Sequence, residues 1–314
     1  MNSTLNTISP PHDFDIREIR GADPRKLIAK SEEEYQRRLE DAAEGVIASG
    51  ARLVLLTGPS SSGKTTTLKR LGKAIEEKGR HAVALSLDDF SRIGEGIPEY
   101  YNGTPFFEGV KAINTDRLHS DLHSLFETGR AVTPTFDFVK KHKTSEGETV
   151  EIGPDDIVMV EGIQALVPET SRGFEDIKQY RIYAGIRGRY SSGVSVIIDE
   201  ETVRFIRRLV RDAYFRKDDA DRTYDIWCNV CVGNEINIWP YLGTVDKVID
   251  TSMEYEPSVI ISRLRKLYND PELCGSHRED IGRLIELYGL FPEYDPSLVP
   301  ADSMLREFIG GLEL

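Results

Sequence analysis

The sequence is poor in cysteine, in long apolar runs and in positive charge, and each shortage excludes a class of protein. Its 314 residues include three cysteines, Cys228, Cys231 and Cys274, too few for a disulfide framework and compatible with a reducing compartment. No run approaches the ~20 apolar residues that a bilayer span needs. The formal net charge of −13 argues against a nucleic-acid-binding surface, which needs clustered Lys and Arg. We therefore expect a cytoplasmic protein that binds neither nucleic acid nor membrane.

The sequence does contain a glycine-rich loop between a strand-like and a helix-like run. Residues 58–66 read Gly-Pro-Ser-Ser-Ser-Gly-Lys-Thr-Thr, and the spacing Gly58-x-x-x-x-Gly63-Lys64-Thr65 predicts a P-loop whose backbone N–H groups surround phosphate oxygens. Lys64 would reach the β and γ phosphates, and the Thr65 hydroxyl would ligate Mg²⁺. A Gly/Ser-rich turn without chemical meaning is the alternative. The expected nucleotide-binding residues in this loop are Gly58, Ser60, Ser61, Ser62, Gly63, Lys64, Thr65 and Thr66.

Strand-like and helix-like segments alternate along the chain, which is typical of a parallel sheet with helices on both faces. The predicted segments are strand 52–57, helix 63–78, strand 81–87, helix 114–128, strand 157–160, strand 180–183, helix 200–216 and strand 245–249. Residues 1–22 look like a loose lead-in, and a capping box of Ser31 and Glu34 predicts a helix that runs to Ser49 and is ended by Gly50. The predicted parts are an N-terminal extension (1–50), a P-loop core (51–250) and a C-terminal helical extension (251–314).

Two carboxylates follow predicted strands whose carboxyl ends meet the P-loop. Asp88 comes after the second strand, and Glu161 ends the third. Because ligands of parallel sheets gather at this edge, both side chains are expected at the phosphate end. Asp88 suits the acceptance of a hydroxyl proton, and Glu161 suits the holding of Mg²⁺. Each is alternatively an acidic residue that caps the next helix.

A basic stripe runs along the predicted helix 200–216, beside an apolar stripe on another face. It is formed by arginines at helical spacing, Arg204, Arg207, Arg208 and Arg211. One interpretation is an ordinary salt-bridged surface. The other is a lid whose guanidinium groups clamp a triphosphate and the charge that develops during phosphoryl transfer.

Taken in order, these motifs resemble the phosphoribulokinase and uridine kinase family of P-loop kinases from about residue 52 to residue 311. The resemblance is strongest to bacterial uridine-kinase-like proteins, although the synthetase-like domain common at their N-termini is absent from this sequence. The matching segments are 58–66, 87–90 (Leu-Asp-Asp-Phe), 134–138 (Pro-Thr-Phe-Asp-Phe), 160–163 (Val-Glu-Gly-Ile), 207–212 (Arg-Arg-Leu-Val-Arg-Asp), 235–240 (Glu-Ile-Asn-Ile-Trp-Pro) and 306–311 (Arg-Glu-Phe-Ile-Gly-Gly).

The resemblance implies an α/β P-loop kinase with a doubly wound parallel sheet, an arginine-bearing lid and a C-terminal helical extension. It implies ATP and Mg²⁺ as cofactors, a small-molecule hydroxyl as acceptor, and a cytoplasmic homo-oligomer. Asp88 falls on the general base of the family and Glu161 on its acidic magnesium-site residue. Arg207, Arg211 and Arg216 fall on the lid and its approach, with Arg207 and Arg211 joining Lys64 and Asp88 as catalytic residues and Arg216 contacting the nucleotide.

The acceptor side departs from the uridine kinase pattern at three positions. Phe106 aligns with an aspartate that holds the ribose, Phe136 with a tyrosine, and Lys141 with a base-reading histidine, His142 being one residue out of register. A buried ribose hydroxyl left unpaired would cost about 1 to 3 kcal/mol. The expected acceptor-contacting residues are Asp88, Arg92, Tyr101, Phe136, Lys141 and His142.

Three hypotheses for the function therefore stay open. The first is a kinase that acts on a nucleoside of the uridine or cytidine type. The second is the same chemistry on a sugar, polyol, sugar phosphate or pantothenate-like acceptor. The third is a nucleotide-binding regulatory protein that transfers nothing.

Overall fold

The helices and strands below come from a computed structural model that describes residues 3–92, 97, 106–137, 142–143 and 147–313. The strands are β1 (His12–Asp15), β2 (Leu53–Thr57), β3 (Ala82–Ser86), β4 (Arg130–Thr133), β5 (Phe136–Asp137), β6 (His142–Lys143), β7 (Glu148–Glu151), β8 (Ile157–Glu161), β9 (Gln179–Gly185), β10 (Gly188–Ser192), β11 (Ser195–Ile198) and β12 (Lys247–Asp250). The α-helices are α1 (Ser3–Ile8), α2 (Ile16–Gly21), α3 (Pro24–Ser49), α4 (Lys64–Glu77), α5 (Thr115–Thr128), α6 (Pro168–Ser171), α7 (Glu200–Arg211), α8 (Ala220–Asn237), α9 (Glu256–Asn269), α10 (Pro271–Cys274), α11 (Arg278–Tyr288) and α12 (Arg306–Ile309).

A five-stranded parallel sheet in the order β12-β9-β2-β8-β3 forms the centre of the molecule. Every residue of β2 and β8 is buried, as expected of strands covered on both faces. Val54 and Leu56 pack into a core shared with α3, α4, α7 and α9, whereas Leu53 and Leu55 pack into a second core with α5. The predicted α/β fold, a parallel sheet between two helical layers, is confirmed.

The N-terminal segment differs from the predicted loose lead-in. It forms α1, β1 and α2, and β1 pairs in parallel with β10 in a separate sheet with β11. The helix predicted to start at Ser31 begins at Pro24, because Asp23 caps it by accepting a hydrogen bond from the Lys26 amide at 3.0 Å. Ser31 is buried inside this helix. The predicted end is confirmed, since Gly50 adopts a φ of +71° after Ser49.

Smaller differences concern the second half of the chain. The predicted helix 200–216 is α-helical to Arg211 and continues as a π-helical turn over Asp212–Arg216. The strand predicted at 245–249 is β12 at Lys247–Asp250. The antiparallel pairs β4–β7, β5–β6 and β10–β11 were not predicted. None of the described helices combines the length and the apolarity that crossing a membrane requires.

Candidate active site

A cavity of about 390 Å³ opens at the carboxyl ends of β2, β3 and β8 and gathers most of the residues that the sequence singles out. Those lining it are Ser60, Ser61, Gly63, Lys64, Thr65, Asp88, Arg92, Phe136, Glu161, Arg211 and Arg216. The rest of the wall includes the apolar side chains of Phe107, Ile113, Ile163 and Ile226. The cavity wall therefore combines strongly charged with apolar side chains.

The glycine-rich loop leaves its own polar groups available. A Cβ at Gly58 would overlap the carbonyl oxygen of Ala184, and Gly63 adopts a φ of +84°, so neither position suits another residue. The buried hydroxyls of Ser61 and Ser62 have no hydrogen-bond partner among the described residues. The helix α4 begins at Lys64 without a side-chain cap. Free hydroxyls and free amides at a helix N-terminus fit an anion such as a phosphate group.

Lys64 is a half-buried cation close to two carboxylates. Its Nζ donates to the carbonyl oxygen of Pro59 at 3.1 Å. Burial lowers the pKa of Lys64, and the nearby carboxylates of Glu161 and Asp88 oppose this effect. A phosphate group in the cavity would add a further negative partner for this ammonium group.

Glu161 lies at the end of β8, where β3 and the P-loop helix converge. Its Oε1 accepts hydrogen bonds from Thr65 Oγ1 at 3.0 Å and from Ser86 Oγ at 2.8 Å. Burial raises the pKa of Glu161, and Lys64 opposes the shift. A carboxylate beside a hydroxyl offers the hard oxygen ligands that Mg²⁺ accepts, with water able to complete the shell. The donor set therefore fits the metal that the sequence analysis assigned to Thr65 and Glu161.

The two adjacent aspartates after β3 have separate surroundings. They lie on a 3₁₀ turn that spans Leu87–Phe90. The Oδ1 of Asp89 accepts a hydrogen bond from the Phe136 amide at 2.7 Å, so Asp89 anchors β5. Asp88 lines the cavity instead. It is the aspartate of this pair that a bound acceptor can reach.

Three arginines from α7 and the π-helical turn bring positive charge to the cavity wall. Arg208 Nη1 donates to Ser60 Oγ at 2.7 Å, and the guanidinium of Arg211 donates to Asp212 Oδ1 at 2.8 Å. Arg216 lines the same wall, and burial lowers its pKa to about 10, with Arg211 adding to the effect. The four arginines of the stripe are thus buried rather than exposed, and Arg204 and Arg208 contact Ser60 of the P-loop.

Arg207 departs from its predicted place in the site. Its side chain is fully buried, with Nε and Nη2 donating to the Glu256 carboxylate at 2.7 and 2.6 Å. Nη2 also donates to the carbonyl oxygen of Thr251, and the guanidinium lies 5.0 Å from the ring centroid of Phe308. Arg207 therefore ties α7 to α9 in the interior and does not line the cavity, because helical rotation turns it away from Arg208.

The structure describes only some of the residues that were predicted to contact the acceptor. Tyr101 and Lys141 lie outside the described residues, and of His142 only the backbone, in β6, is described. Phe136 lines the cavity, whereas the aligned position Phe106 does not, and its neighbours Phe107 and Glu108 do. The acceptor residues brought together are thus Asp88, Arg92 and Phe136.

Several cavity residues were not predicted for the site, namely Glu108, Gln164, Arg222 and Glu307, whereas Arg208 belongs to the arginine stripe for which a phosphate clamp was one interpretation. The carbonyl oxygen of Glu108 accepts hydrogen bonds from Gln164 Nε2 at 2.9 Å and from Asn237 Nδ2 at 2.6 Å, which fixes this residue at the wall. Burial raises the pKa of Glu108, and Arg208 opposes the shift. Glu307 lies in the segment 306–311 that carries the resemblance, but that segment did not indicate contact with the P-loop.

Comparisons with known proteins find a matching family and several similar proteins. The model of the phosphoribulokinase/uridine kinase family matches residues 53–253. The uridine kinase of Lactobacillus helveticus is 27% identical over 202 residues, which cover 64% of this chain and 80% of that protein. That of Borrelia turicatae is 32% identical over 161 residues, covering 51% and 67%. Among solved structures, a possible uridine kinase from Bacillus stearothermophilus matches with a TM-score of 0.46 at 17% identity, over 69% of this chain and 100% of that one.

Proposed function

Since the chain belongs to the phosphoribulokinase/uridine kinase family, we propose that it transfers the γ-phosphoryl group of ATP to a hydroxyl group of a nucleoside. The observation that carries the proposal is the shared cavity, in which Lys64, Thr65 and Glu161 lie at the P-loop and Asp88 lies on the same wall. The curated relatives named above are uridine kinases, which favours a nucleoside of the uridine or cytidine type.

Each residue then has a defined task. The loop amides and Lys64 bind the phosphates, while Thr65 and Glu161 hold Mg²⁺. When bound, Mg²⁺ supplies positive charge that neutralises phosphate oxygens. Asp88 accepts the proton of the attacking hydroxyl, whose oxygen forms the new bond to phosphorus as the bond to the leaving ADP breaks. The charge of the transferred group is balanced by the arginines at the wall, Arg208, Arg211 and Arg216.

The apolar part of the cavity supports a nucleoside as acceptor. Phe107, Phe136 and Ile226 offer surface on which a flat base can pack. A second candidate, the same transfer to a sugar phosphate, is favoured by Arg92 and Arg222, because both cations line the cavity as well. Both candidates use the same P-loop and the same Asp88.

An acceptor screen tests the proposal. The full chain is incubated with Mg-ATP and a panel of nucleosides, sugars, polyols and sugar phosphates, and products are identified by mass spectrometry. We expect a phosphorylated nucleoside. A phosphorylated sugar or sugar phosphate alone would overturn the nucleoside assignment. Nucleotide binding without any product would favour the regulatory alternative.

The base role of Asp88 has its own test. In Asp88→Asn we expect kcat to fall by about 10² or more, because the side chain can no longer accept the proton, while the Kd for ATP stays nearly unchanged. Asp176→Asn is the matched control, since Asp176 is exposed and precedes β9 at the opposite edge of the sheet. An unchanged transfer rate in Asp88→Asn would remove Asp88 from the base role.

A further inference from the structure

A segment near the C-terminus reaches the phosphate end of the cavity. We name residues Ser303–Gly311 the C-terminal strap. The hydroxyl of Thr66, in the first turn of α4, donates to Glu307 Oε2 at 2.8 Å, and Glu307 lines the cavity. Met304 packs against Gly63, where an added Cβ would come within 2.5 Å of the methionine Sδ. The strap lies beyond residues 53–253, which the family model matches, although its residues 306–311 belong to the segments that carry the sequence resemblance.

Buried contacts on both sides fix the strap. Ser303 Oγ donates to Glu32 Oε1 of α3 at 2.5 Å. Phe308 is fully buried beneath the guanidinium of Arg207, and Arg263 donates to the carbonyl oxygen of Ile309. These contacts hold the backbone of the strap in place, so Glu307 lies next to Thr66 because of the fold and not because a free chain end happens to reach it.

The position of Glu307 is one that favours an anion. The N-terminus of α4 carries partial positive charge, and Gly63 provides no side-chain cap there. Lys64 and Arg211 also interact electrostatically with the Glu307 carboxylate. Phosphate groups bound by the P-loop would lie at the same helix N-terminus and would need the same two cations. Two anions beside the same cations repel each other, and the burial of Arg211 limits the screening of this repulsion by water.

We propose that Glu307 is an affinity-determining residue of the nucleotide site, an internal anion that competes with the phosphates of the nucleotide. Phosphate binding breaks the bond between Glu307 and Thr66 and displaces the Glu307 side chain from α4, which removes one of the contacts that hold the strap. Glu307 therefore weakens triphosphate binding and links the C-terminal strap to occupancy of the P-loop. This inference rests on the proposed function insofar as the P-loop must bind a triphosphate.

Calorimetry on the full chain tests whether removal of the Glu307 charge strengthens or weakens ATP binding. Glu307→Gln keeps an oxygen that can accept from Thr66 but removes the charge, so we expect the Kd for ATP to fall about tenfold, which corresponds to about 1.4 kcal/mol. Inorganic tripolyphosphate should show the same change, because the competition concerns phosphate. Glu313→Gln is the matched control, an equal change of charge at an exposed residue of the same terminus. Its Kd should equal that of the wild type.

The possible results separate this inference from the proposed function. If the wild type binds ATP while Glu307→Gln binds it equally or more weakly, the competition is refuted and the kinase assignment stands. If neither protein binds ATP or tripolyphosphate, both ideas fail. Hydrogen exchange gives a second readout: the amides of Phe308, Ile309 and Gly310, now bonded within the strap, should exchange faster in saturating ATP. Unchanged exchange would contradict the displacement.

Discussion

Helical spacing gives the arginines of α7 a common stripe, yet their side chains have different surroundings. Arg204 Nε donates to the carbonyl oxygen of Ser60, and its guanidinium lies 5.3 Å from the ring centroid of Trp227. Arg207 pairs with Glu256 in the interior, and Arg208 and Arg211 reach the cavity. Removal of one partner of a buried ion pair typically costs about 3 to 5 kcal/mol. If an Arg207 variant loses activity, we therefore expect the cause to be reduced stability of the fold and not a lost catalytic contact.

The ionised carboxyl group of Glu108, a residue of the cavity wall, lowers the folding stability of the protein at neutral pH. Its pKa is raised in the folded protein by burial, more than Arg208 lowers it. As the pH rises above the ordinary pKa of glutamate, the unfolded chain releases this proton before the folded chain does, so the contribution of Glu108 to the stability of the wild type falls. In Glu108→Gln this loss is absent. We expect the melting temperature of the variant to match that of the wild type near pH 4 and to exceed it by a growing amount as the pH rises above that.

Thermal melting across this pH range is the measurement, with Glu313→Gln as the exposed control. The control should differ from the wild type by the same amount at every pH. The difference in melting temperature between Glu108→Gln and the wild type should grow with pH. If it does not, Glu108 is not a group whose protonation is linked to folding. Such a trade of stability for function is common where charged groups line a site.

At the scale of elements, β1 shows how a short strand is held by close packing. It pairs His12 with Gly188 and Phe14 with Tyr190, and the ring centroids of Phe14 and Tyr190 lie 5.5 Å apart. A Cβ at Gly188 would overlap the Phe14 ring and approach the Cβ of Ser252 to 2.8 Å. Only glycine lets β1 lie this close to β10. The N-terminal segment therefore depends on a residue more than 170 positions away along the chain.

We predict that Gly188→Ala destabilises the protein by about 1 to 3 kcal/mol, because the added methyl group overpacks this contact. Urea unfolding measures the loss, and hydrogen exchange at Phe14 and Asp15 should show that β1 detaches first. Gly21→Ala is the control, since nothing lies within 4 Å of a Cβ there. Equal stability of the wild type and Gly188→Ala would mean that Phe14 and Ser252 move aside without cost.

The sequence predicted those helices and strands whose pattern lies within a few neighbouring residues. The strands β2 and β8 are continuous apolar runs, and α4 follows a P-loop spacing, so each could be recognised from neighbouring residues. The strand β1 carries the polar residues His12, Asp13 and Asp15, and only its pairing partner stabilises it as a strand. The contact of Glu307 with Thr66 joins residues 241 positions apart, and no local pattern encodes such a contact.

At the scale of the whole molecule, one hydrophobic core joins the predicted C-terminal extension to the sheet. The same cluster contains Leu39 of α3, Val54 of β2, Val203 of α7, Leu264 of α9 and Phe308 of the strap. The sequence analysis divided the chain at residue 250, and that division stays a prediction. Because residues on both sides of this boundary fill one core, we expect them to unfold together.

Two probes on opposite sides of residue 250 can test this expectation. Trp227 and Trp239 report on the predicted core by fluorescence, and Cys274, 1% exposed in the hydrophobic core, reports on the C-terminal part by its reaction with a thiol reagent. Cys228 and Cys231 are first replaced by serine so that only Cys274 reacts. In urea, both signals should change at the same midpoint, because loss of the shared core exposes all of these side chains at once. If Cys274 reacts at a clearly lower urea concentration than the tryptophan signal changes, residues 251–314 form a separate unit, and the strap that carries Glu307 opens independently of the P-loop.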